Sequence, residues 1–379
     1  RKRGGRCACQ TGSLAVSLAR VSLWQARNWN MAPGAVYTAF AGYMLSNAGV
    51  PCRAIVRELN AKRTATLDDF LRVLLTLQDG ARVPMRYALP YSQHQERLAV
   101  ITVERTWFAC VRYDLEPVAG RWVRSICDKP PPPPPLEPRP VTFTLAGPEA
   151  VQTITPSLVR VLFDIPYQID GVSGLKYIGT GLVVDASLGL VIVDRNTVPV
   201  ALGDARVEFA STVEIPAKVR FLHPTHNFAL VQYDPQRLTG ESARSAALSQ
   251  VPLQVGDVCM FVGLSKLESA RPVFQQCVVR ESCAMEVGIS SVPRFRAINE
   301  EIVRFDLGLS LEDTIGGVFV DETGAARALW MAYCNCSHDE ELFEQFEGLP
   351  IQAVMPAVAQ HRRPSSSAPP SAPATAPAA

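Results

Sequence analysis

No regular secondary structure can run through residues 130–135, which are six consecutive prolines, because each lacks a backbone N–H and fixes its own φ. The run is continued by Leu-Glu-Pro-Arg-Pro and predicts a stiff polyproline II spacer. Such a run can also serve as a ligand for a proline-reading domain, but the spacer role needs nothing beyond the prolines themselves. A chain interrupted this way must build a core on each side, and 379 residues at 47% hydrophobic content supply enough apolar material for both.

Before the prolines, Thr66-Leu-Asp-Asp-Phe-Leu-Arg-Val-Leu-Leu-Thr-Leu places Leu67, Phe70, Leu71, Leu74, Leu75 and Leu77 close to one helical face. Thr66 is a suitable N-cap with acids in the first turn, and Asp79-Gly80 ends the helix. Gly34-Ala-Val-Tyr-Thr-Ala-Phe and Cys52-Arg-Ala-Ile-Val-Arg-Glu-Leu-Asn read as strands upstream, and Arg82-Val-Pro-Met-Arg-Tyr as a strand downstream. Leu98-Ala-Val-Ile-Thr-Val, Trp107-Phe-Ala-Cys-Val-Arg-Tyr and Arg121-Trp-Val-Arg-Ser-Ile follow as strands that extend this part or pack under the next. Glu116-Pro-Val-Ala-Gly supplies a hairpin turn between the last two. Trp24 and Trp29 are expected in the core.

After the prolines, short apolar runs recur at turn-separated spacing: Val159-Arg-Val-Leu-Phe, Gly181-Leu-Val-Val-Asp, Leu190-Val-Ile-Val, Arg206-Val-Glu-Phe, Ala217-Lys-Val-Arg-Phe-Leu and Ala229-Leu-Val-Gln-Tyr, then Val258-Cys-Met-Phe-Val-Gly, Phe274-Gln-Gln-Cys-Val-Val, Glu301-Ile-Val-Arg-Phe and Gly317-Val-Phe-Val. No helical period competes until the last forty or so residues, so a sandwich or barrel is predicted. Beyond about Gln360 the Pro-, Ser- and Ala-rich tail cannot bury enough apolar surface to order itself.

The 37 basic and 36 acidic residues leave a net charge of +1, which gives no field to recruit nucleic acid or an anionic membrane. Apolar runs break well before the ~20 residues of a spanning helix, so no membrane span is expected. The opening Arg-Lys-Arg-Gly-Gly-Arg-Cys-Ala-Cys lacks the apolar core of a secretory signal, and a start at Arg1 reads as a piece of a longer protein. Most of the ten cysteines lie in apolar runs, where a thiol is a small hydrophobe, and predict a reducing compartment. Cys334-Asn-Cys336-Ser-His338 could hold a soft metal, but it lacks a fourth ligand and the usual Cys spacing, so it reads as a plain loop. The Cys7/Cys9 pair reads likewise, and neither a metal nor another cofactor is expected.

The residues also carry a resemblance. Gly179-Thr-Gly-Leu-Val-Val-Asp, Gly189-Leu-Val-Ile-Val-Asp-Arg-Asn-Thr-Val and Glu214-Ile-Pro-Ala-Lys-Val-Arg-Phe-Leu-His-Pro-Thr-His-Asn-Phe-Ala-Leu-Val resemble the N-terminal barrel of HtrA/Deg serine proteases. Val255-Gly-Asp-Val-Cys-Met-Phe-Val-Gly and Asp313-Thr-Ile-Gly-Gly-Val-Phe-Val are similar to the second barrel and its nucleophile segment, and residues 53–87 to the second half of an HtrA-type PDZ domain. The resemblance implies a mainly β chain: an α+β PDZ-like domain followed by a trypsin-like double β-barrel. The expected division is an N-terminal segment (1–11), a PDZ-like domain (12–92), a β-hairpin extension (93–129), a Pro-rich linker (130–150), a degenerate double barrel (151–358) and a disordered tail (359–379). Ordinary HtrA proteins run protease then PDZ. The reverse order fits the middle of the long, double-unit members found in plant chloroplasts and in the fungal nucleus, so an intracellular location in one of these is implied.

Carried over position by position, the family's base falls on Asn196, its orienting acid on Asn227 and its nucleophile on Ile315, just before the retained elbow glycines Gly316 and Gly317. A carboxamide does not relay a proton near neutral pH, and an alkyl group has no lone pair with which to attack. A displaced triad would have to draw on His223, His226 and Ser310, but both histidines are expected to be exposed loop residues. Gly171-Val-Ser173-Gly174 reads as a turn. The resemblance places a peptide groove along Gly12, Ser13 and Leu14, facing Phe70 and Leu74 of the helix, with a blocked groove as the alternative. Three functions follow: a non-catalytic scaffold that binds peptides or unfolded proteins and assembles as a homo-oligomer or with an active HtrA protease domain, a protease with a misaligned triad, or a stand-alone binding module.

Overall fold

A computed structural model describes residues 5–8, 16–127, 132, 137–169, 172, 174–240, 243–265, 272–285, 300–306, 314–336 and 342–362, with backbone alone for 5–8, 334–336 and 342–344. The chain forms two compact units, Arg1–Leu136 with Pro166–Ile169, and Glu137–Ile165 with Asp170–Ala379. The proline run itself, apart from residue 132, and the tail beyond residue 362 lie outside the described residues.

The first unit contains β1 (Gly5–Ala8), β2 (Ser17–Arg20), α1 (Leu23–Asn28), β3 (Val36–Phe40), α2 (Gly42–Asn47), β4 (Ile55–Leu59), β5 (Lys62–Arg63), α3 (Leu67–Leu75), β6 (Arg82–Leu89), β7 (Ser92–Thr102), β8 (Val111–Glu116) and β9 (Arg121–Ile126). They make a nine-stranded sheet in the order β7-β6-β4-β3-β2-β1-β8-β9, with β5 on β4. The strands after residue 92 thus extend this sheet, and they do so at both edges. α3 begins where Thr66 accepts from Asp69 N at 3.2 Å and Asp69 returns the bond to Thr66 N at 3.1 Å, a capping box. Its buried face, Leu67, Phe70, Leu71, Val73 and Leu74, packs into a core with Val36, Ile101 and Met85. Arg105, almost fully buried, is neutralised by Asp79 at 2.6 Å and donates to Leu74 O and Leu77 O, closing the carbonyl end of α3. Trp24 departs from expectation: on the short helix α1 it is 73% exposed, while Trp29 is half-buried edge-on against Tyr37.

The second unit contains β10 (Arg139–Val141), α4 (Glu149–Ile154), β11 (Leu158–Asp164), β12 (Lys176–Asp185), β13 (Leu190–Asp194), β14 (Asp204–Phe209), β15 (Val213–Leu222), β16 (Phe228–Tyr233), β17 (Leu238–Gly240), β18 (Val258–Ser265), β19 (Pro272–Met285), β20 (Glu300–Asp306), β21 (Thr314–Val320), β22 (Ala326–Cys336), β23 (Leu342–Pro350) and α5 (Ile351–Arg362). Two barrels close, β11-β12-β13-β16-β15-β14 and β18-β19-β20-β23-β22-β21. Both follow the same winding, first-second-third-sixth-fifth-fourth, as a trypsin-like double barrel does. The Val- and Ile-rich runs are buried on both faces, β13 along its whole length and β21 likewise, and each large side chain so buried contributes about 1.5–3 kcal/mol.

Three local expectations change. The spacer does not extend to Pro140, because Arg139–Val141 pairs in parallel with β17 in a two-stranded sheet, where a proline is tolerated. The backbone of Cys334 and Cys336 runs in β22, paired with Glu344 and Leu342, and is not a loop. Helix α5 continues through Arg362, past the point where composition alone places the tail, because Ile351, Val354, Ala357 and Val358 are buried.

Candidate functional site

β13 delivers Asn196 two residues beyond its end. The turn there is pinned by buried Asp194, whose carboxylate accepts from Thr197 N at 2.6 Å and Ala332 N at 3.3 Å. Arg195 is also buried; its guanidinium donates to His223 O at 2.7 Å and Pro199 O at 2.9 Å, and burial pulls it down to about 10. Its backbone N–H donates to Oδ1 of Asn227 at 3.2 Å. The Asn196 turn and Asn227, far apart in sequence, are therefore joined by a hydrogen bond.

Asn227 is 4% exposed and uses both ends of its amide. While Oδ1 accepts from Arg195, Nδ2 donates to Ala332 O at 2.7 Å. An ionised aspartate can only accept, so it would face that carbonyl oxygen with like charge. The surroundings fit an asparagine.

Ile315 lies in β21 at 6% exposure. Gly316 follows at φ +108°, where side chains are strained, and its carbonyl accepts from Thr180 Oγ1 at 3.1 Å. At Gly317 a Cβ would lie 2.6 Å from Val262 O and 2.7 Å from the Phe261 ring, so only glycine fits. β12 ties the arrangement together. A Cβ at Gly179 would meet Thr197 Oγ1 at 2.1 Å, and the next residue is Thr180, which bonds Gly316. The turn that holds Asn196 and the glycine after Ile315 thus both adjoin the Gly179-Thr180 stretch of one strand, while Asn227 is bonded to the Asn196 turn. The side chains at the three positions offer two carboxamides and one buried alkyl group.

A residue that sequence reasoning missed stands beside them. Glu300, 2% exposed at the start of β20, accepts from Asn227 N at 3.2 and 3.3 Å and lies 2.9 Å from His226 Nδ1. Burial pushes its carboxyl up, while Asn227 and His226 partly offset that. Burial and then Glu300 push the Tyr333 phenol well above its ordinary value. His223 Nδ1 accepts from His226 N at 2.8 Å, and its ring packs 4.6 Å from that of Phe228. Burial, then His226 and Arg195, hold the His223 imidazole low. The two histidines are partly buried and bonded, contrary to the expectation of exposed loop residues. Ser173 and Ser310 lie outside the described residues, as do Gly12, Ser13 and Leu14.

Of the remaining groove candidates, Phe70 is 1% exposed and belongs to the core, because its helix turns it under the sheet. Leu74 lines a small recess with Val16, Tyr43, Met44, Glu104, Arg105, Phe108 and Cys110. The strand edge expected to receive a peptide, β2, is paired with β3 on one side and β1 on the other.

A family model for a PDZ-like domain matches residues 16–80. The pro-apoptotic serine protease nma111 of Neosartorya fischeri is 31% identical over 349 residues, covering 90% of this chain and 33% of that protein. Its counterpart in Aspergillus fumigatus is 32% identical over 318 residues, covering 83% of this chain and 30% of that protein. The chain spans about a third of the length of the curated relatives it matches. The active form of the Rv3671c protease of M. tuberculosis superposes with a TM-score of 0.42 at 15% identity, covering 64% of this chain and 97% of that one.

Proposed function

We propose that this chain, an HtrA/Deg-family serine-protease-like protein with a PDZ-like domain ahead of two β-barrels, is the non-catalytic part of such a protease, binding extended peptides and supporting assembly. The observation that carries the non-catalytic reading is Asn227, whose Nδ2 donates to Ala332 O at 2.7 Å. The acid position is rebuilt around a donor, which an ionised carboxylate cannot supply. Asn196 and Ile315 supply neither a base nor a nucleophile. The same pocket position in a working triad would hold the charge that stabilises an imidazolium.

The peptide-binding half of the proposal rests on the PDZ-like domain, with a peptide strand taking a place beside β2, whose two edges β1 and β3 occupy here. Partners are extended or unfolded polypeptides, and assembly is with further copies or with an active HtrA protease domain. The buried free thiols Cys110, Cys259 and Cys277 support a reducing compartment. The double-unit HtrA architecture accommodates this order of domains, with catalysis supplied elsewhere.

A second reading has its own observation: His226 against Glu300 is a histidine–carboxylate pair, the half of a triad that orients a base. A serine-directed fluorophosphonate separates the two. The non-catalytic reading expects no labelled residue and no casein cleavage by the purified chain. Labelling that is lost in Ser310→Ala or His226→Ala would establish the second reading.

A further inference from the structure

An interior position in the first unit's sheet, third from one edge, is taken by residues with weak strand character. β1 is four residues, Gly-Arg-Cys-Ala, yet it pairs on both edges. Arg6, Cys7 and Ala8 register against Ala19, Leu18 and Ser17 of β2, and Gly5, Arg6 and Cys7 against Asp114, Tyr113 and Arg112 of β8, all antiparallel. Glycine and the absence of alternating apolar residues make this a poor strand on its own account.

The flanking strands are held apart by a different device. Asp68, in the first turn of α3, takes Arg20 of β2 at 3.0 Å and Arg112 of β8 at 2.6 Å, and Arg112 is further bound to Asp114 at 2.7 Å. One carboxylate therefore ties together the two strands between which β1 runs. The walls of the position are fixed by side chains that do not belong to its occupant.

The position also has a direction. Ala8 registers with Ser17, and Ser17 follows Val16, so β1 runs with its C-terminal end toward the Val16 end of β2. There lies a small, mostly apolar recess, with Val16 from the start of β2, Cys110 just before β8 and Leu74 from the last turn of α3 among its walls, and Glu104 and Arg105 also lining it. A strand in this position is thus led toward an apolar recess.

We infer that β1 occupies a two-sided strand slot as an exchangeable internal ligand, and that the same slot takes in trans an extended segment whose four strand residues are followed by an apolar one. This rests on the peptide-binding reading above and adds the occupant and its regulation. An incoming strand gains ladder bonds to both β2 and β8, instead of to one sheet edge. Binding in trans is limited by competition from residues 5–8, because the competent state is the fraction in which β1 has left.

The test uses a fluorescein-labelled peptide of residues 1–10 carrying Cys7→Ser and Cys9→Leu, titrated by fluorescence anisotropy. It is added to the full chain, to the chain lacking residues 1–10, and to a full-length Cys7→Pro variant. Proline removes a ladder donor from a strand paired on both sides. The shortened chain and Cys7→Pro should each bind at least about tenfold more tightly than the full chain. The same peptide carrying Asp at its ninth position should bind at least about tenfold more weakly. Equal affinity for all three proteins overturns the inference, as does equal affinity for both peptides.

Reduced, carboxymethylated lactalbumin separates this from failure of the underlying reading. If the shortened chain binds it but not the peptide, the internal-ligand inference falls and peptide capture stands; if it binds neither, both fall. Should the shortened chain lose cooperative melting, Cys7→Pro decides alone. Amide exchange at Leu18 and Tyr113 must then accelerate together with tighter peptide binding, and acceleration without binding counts against the slot.

Discussion

The strand slot of the first unit is a backbone site, with three register pairs to β2 and three to β8. The barrel site of the second unit is instead a side-chain site, in which Asn227 reaches Ala332 and His226 reaches Glu300 across long stretches of sequence. Ladder bonds are indifferent to side-chain identity, so a backbone site keeps its capacity through sequence change. A site built on the chemistry of three side chains loses that chemistry with three substitutions, while the glycine-dependent backbone around it stays in place. On the proposed reading, the difference lets one chain carry a backbone binding position together with a barrel site that has no triad chemistry.

The largest expected effect tests whether that frame is rigid. Gly317→Ala puts a Cβ within 2.6 Å of Val262 O and should cost about 2–4 kcal/mol, measured by urea unfolding. Gly316→Ala, strained in φ but less crowded, should cost about 1–2 kcal/mol. The reverse order would mean that β21 yields to its neighbours, and the contrast with the slot would weaken.

Asn227→Asp probes the side-chain site itself. At neutral pH a carboxylate against Ala332 O and next to Glu300 should destabilise the chain by about 2–3 kcal/mol. Protonation restores a donor, so the penalty should shrink on acidification toward pH 4. A pH-independent penalty would indicate a packing effect and not the charge.

A smaller effect belongs to Glu300. Its folded-state pKa is raised by burial, so the folded protein retains a proton that the unfolded chain has released. The associated stability is fully present below the ordinary carboxylate value of about 4.5 and is lost as pH rises through the folded value. Glu300→Gln keeps an acceptor for His226 and Asn227, and should flatten the dependence of the melting temperature on pH in that window. Parallel curves for the two proteins would remove Glu300 from the account.

The smallest effect concerns thiols. Burial pushes Cys259 up to about 11 and Cys277 up to about 12, so native alkylation at pH 8 should modify exposed Cys52 well before either. Equal rates would show the second barrel opening on the labelling timescale.

Much of the fold was legible because strands such as Leu190–Asp194 carry continuous β-branched runs and α3 carries a helical stripe with its cap. β22 escaped because Ala-Arg-Ala-Leu-Trp-Met-Ala-Tyr neither alternates nor favours β structure. α1 and α2, at six residues each, are too short to show a period. At the site, Asn196, Asn227 and Ile315 were assigned from local motifs through the resemblance, and the structure adds the hydrogen bond that joins Asn227 to the Asn196 turn. Glu300 was not so assigned, since its burial arises from a partner 74 residues away. The occupant of the slot was hidden for the same reason: the pairing of Gly5–Ala8 is decided by β2 and β8, not by its own residues.

That a protease frame survives around these three positions is tested most directly by the labelling rate of a serine-directed fluorophosphonate on two variants. One carries Ile315→Ser alone; the other adds Asn196→His and Asn227→Asp, and both are measured at pH 7 on protein shown to be folded. A base within reach of the new hydroxyl is worth roughly a hundredfold or more, so the triple variant should label at least about tenfold faster even with an imperfect oxyanion hole. Its casein turnover should stay low, since the loss of one oxyanion donor alone costs roughly a hundred- to a thousandfold. Equal labelling of the two folded variants would contradict the account, because Asn196 and Asn227 would then not neighbour Ile315 as a triad requires.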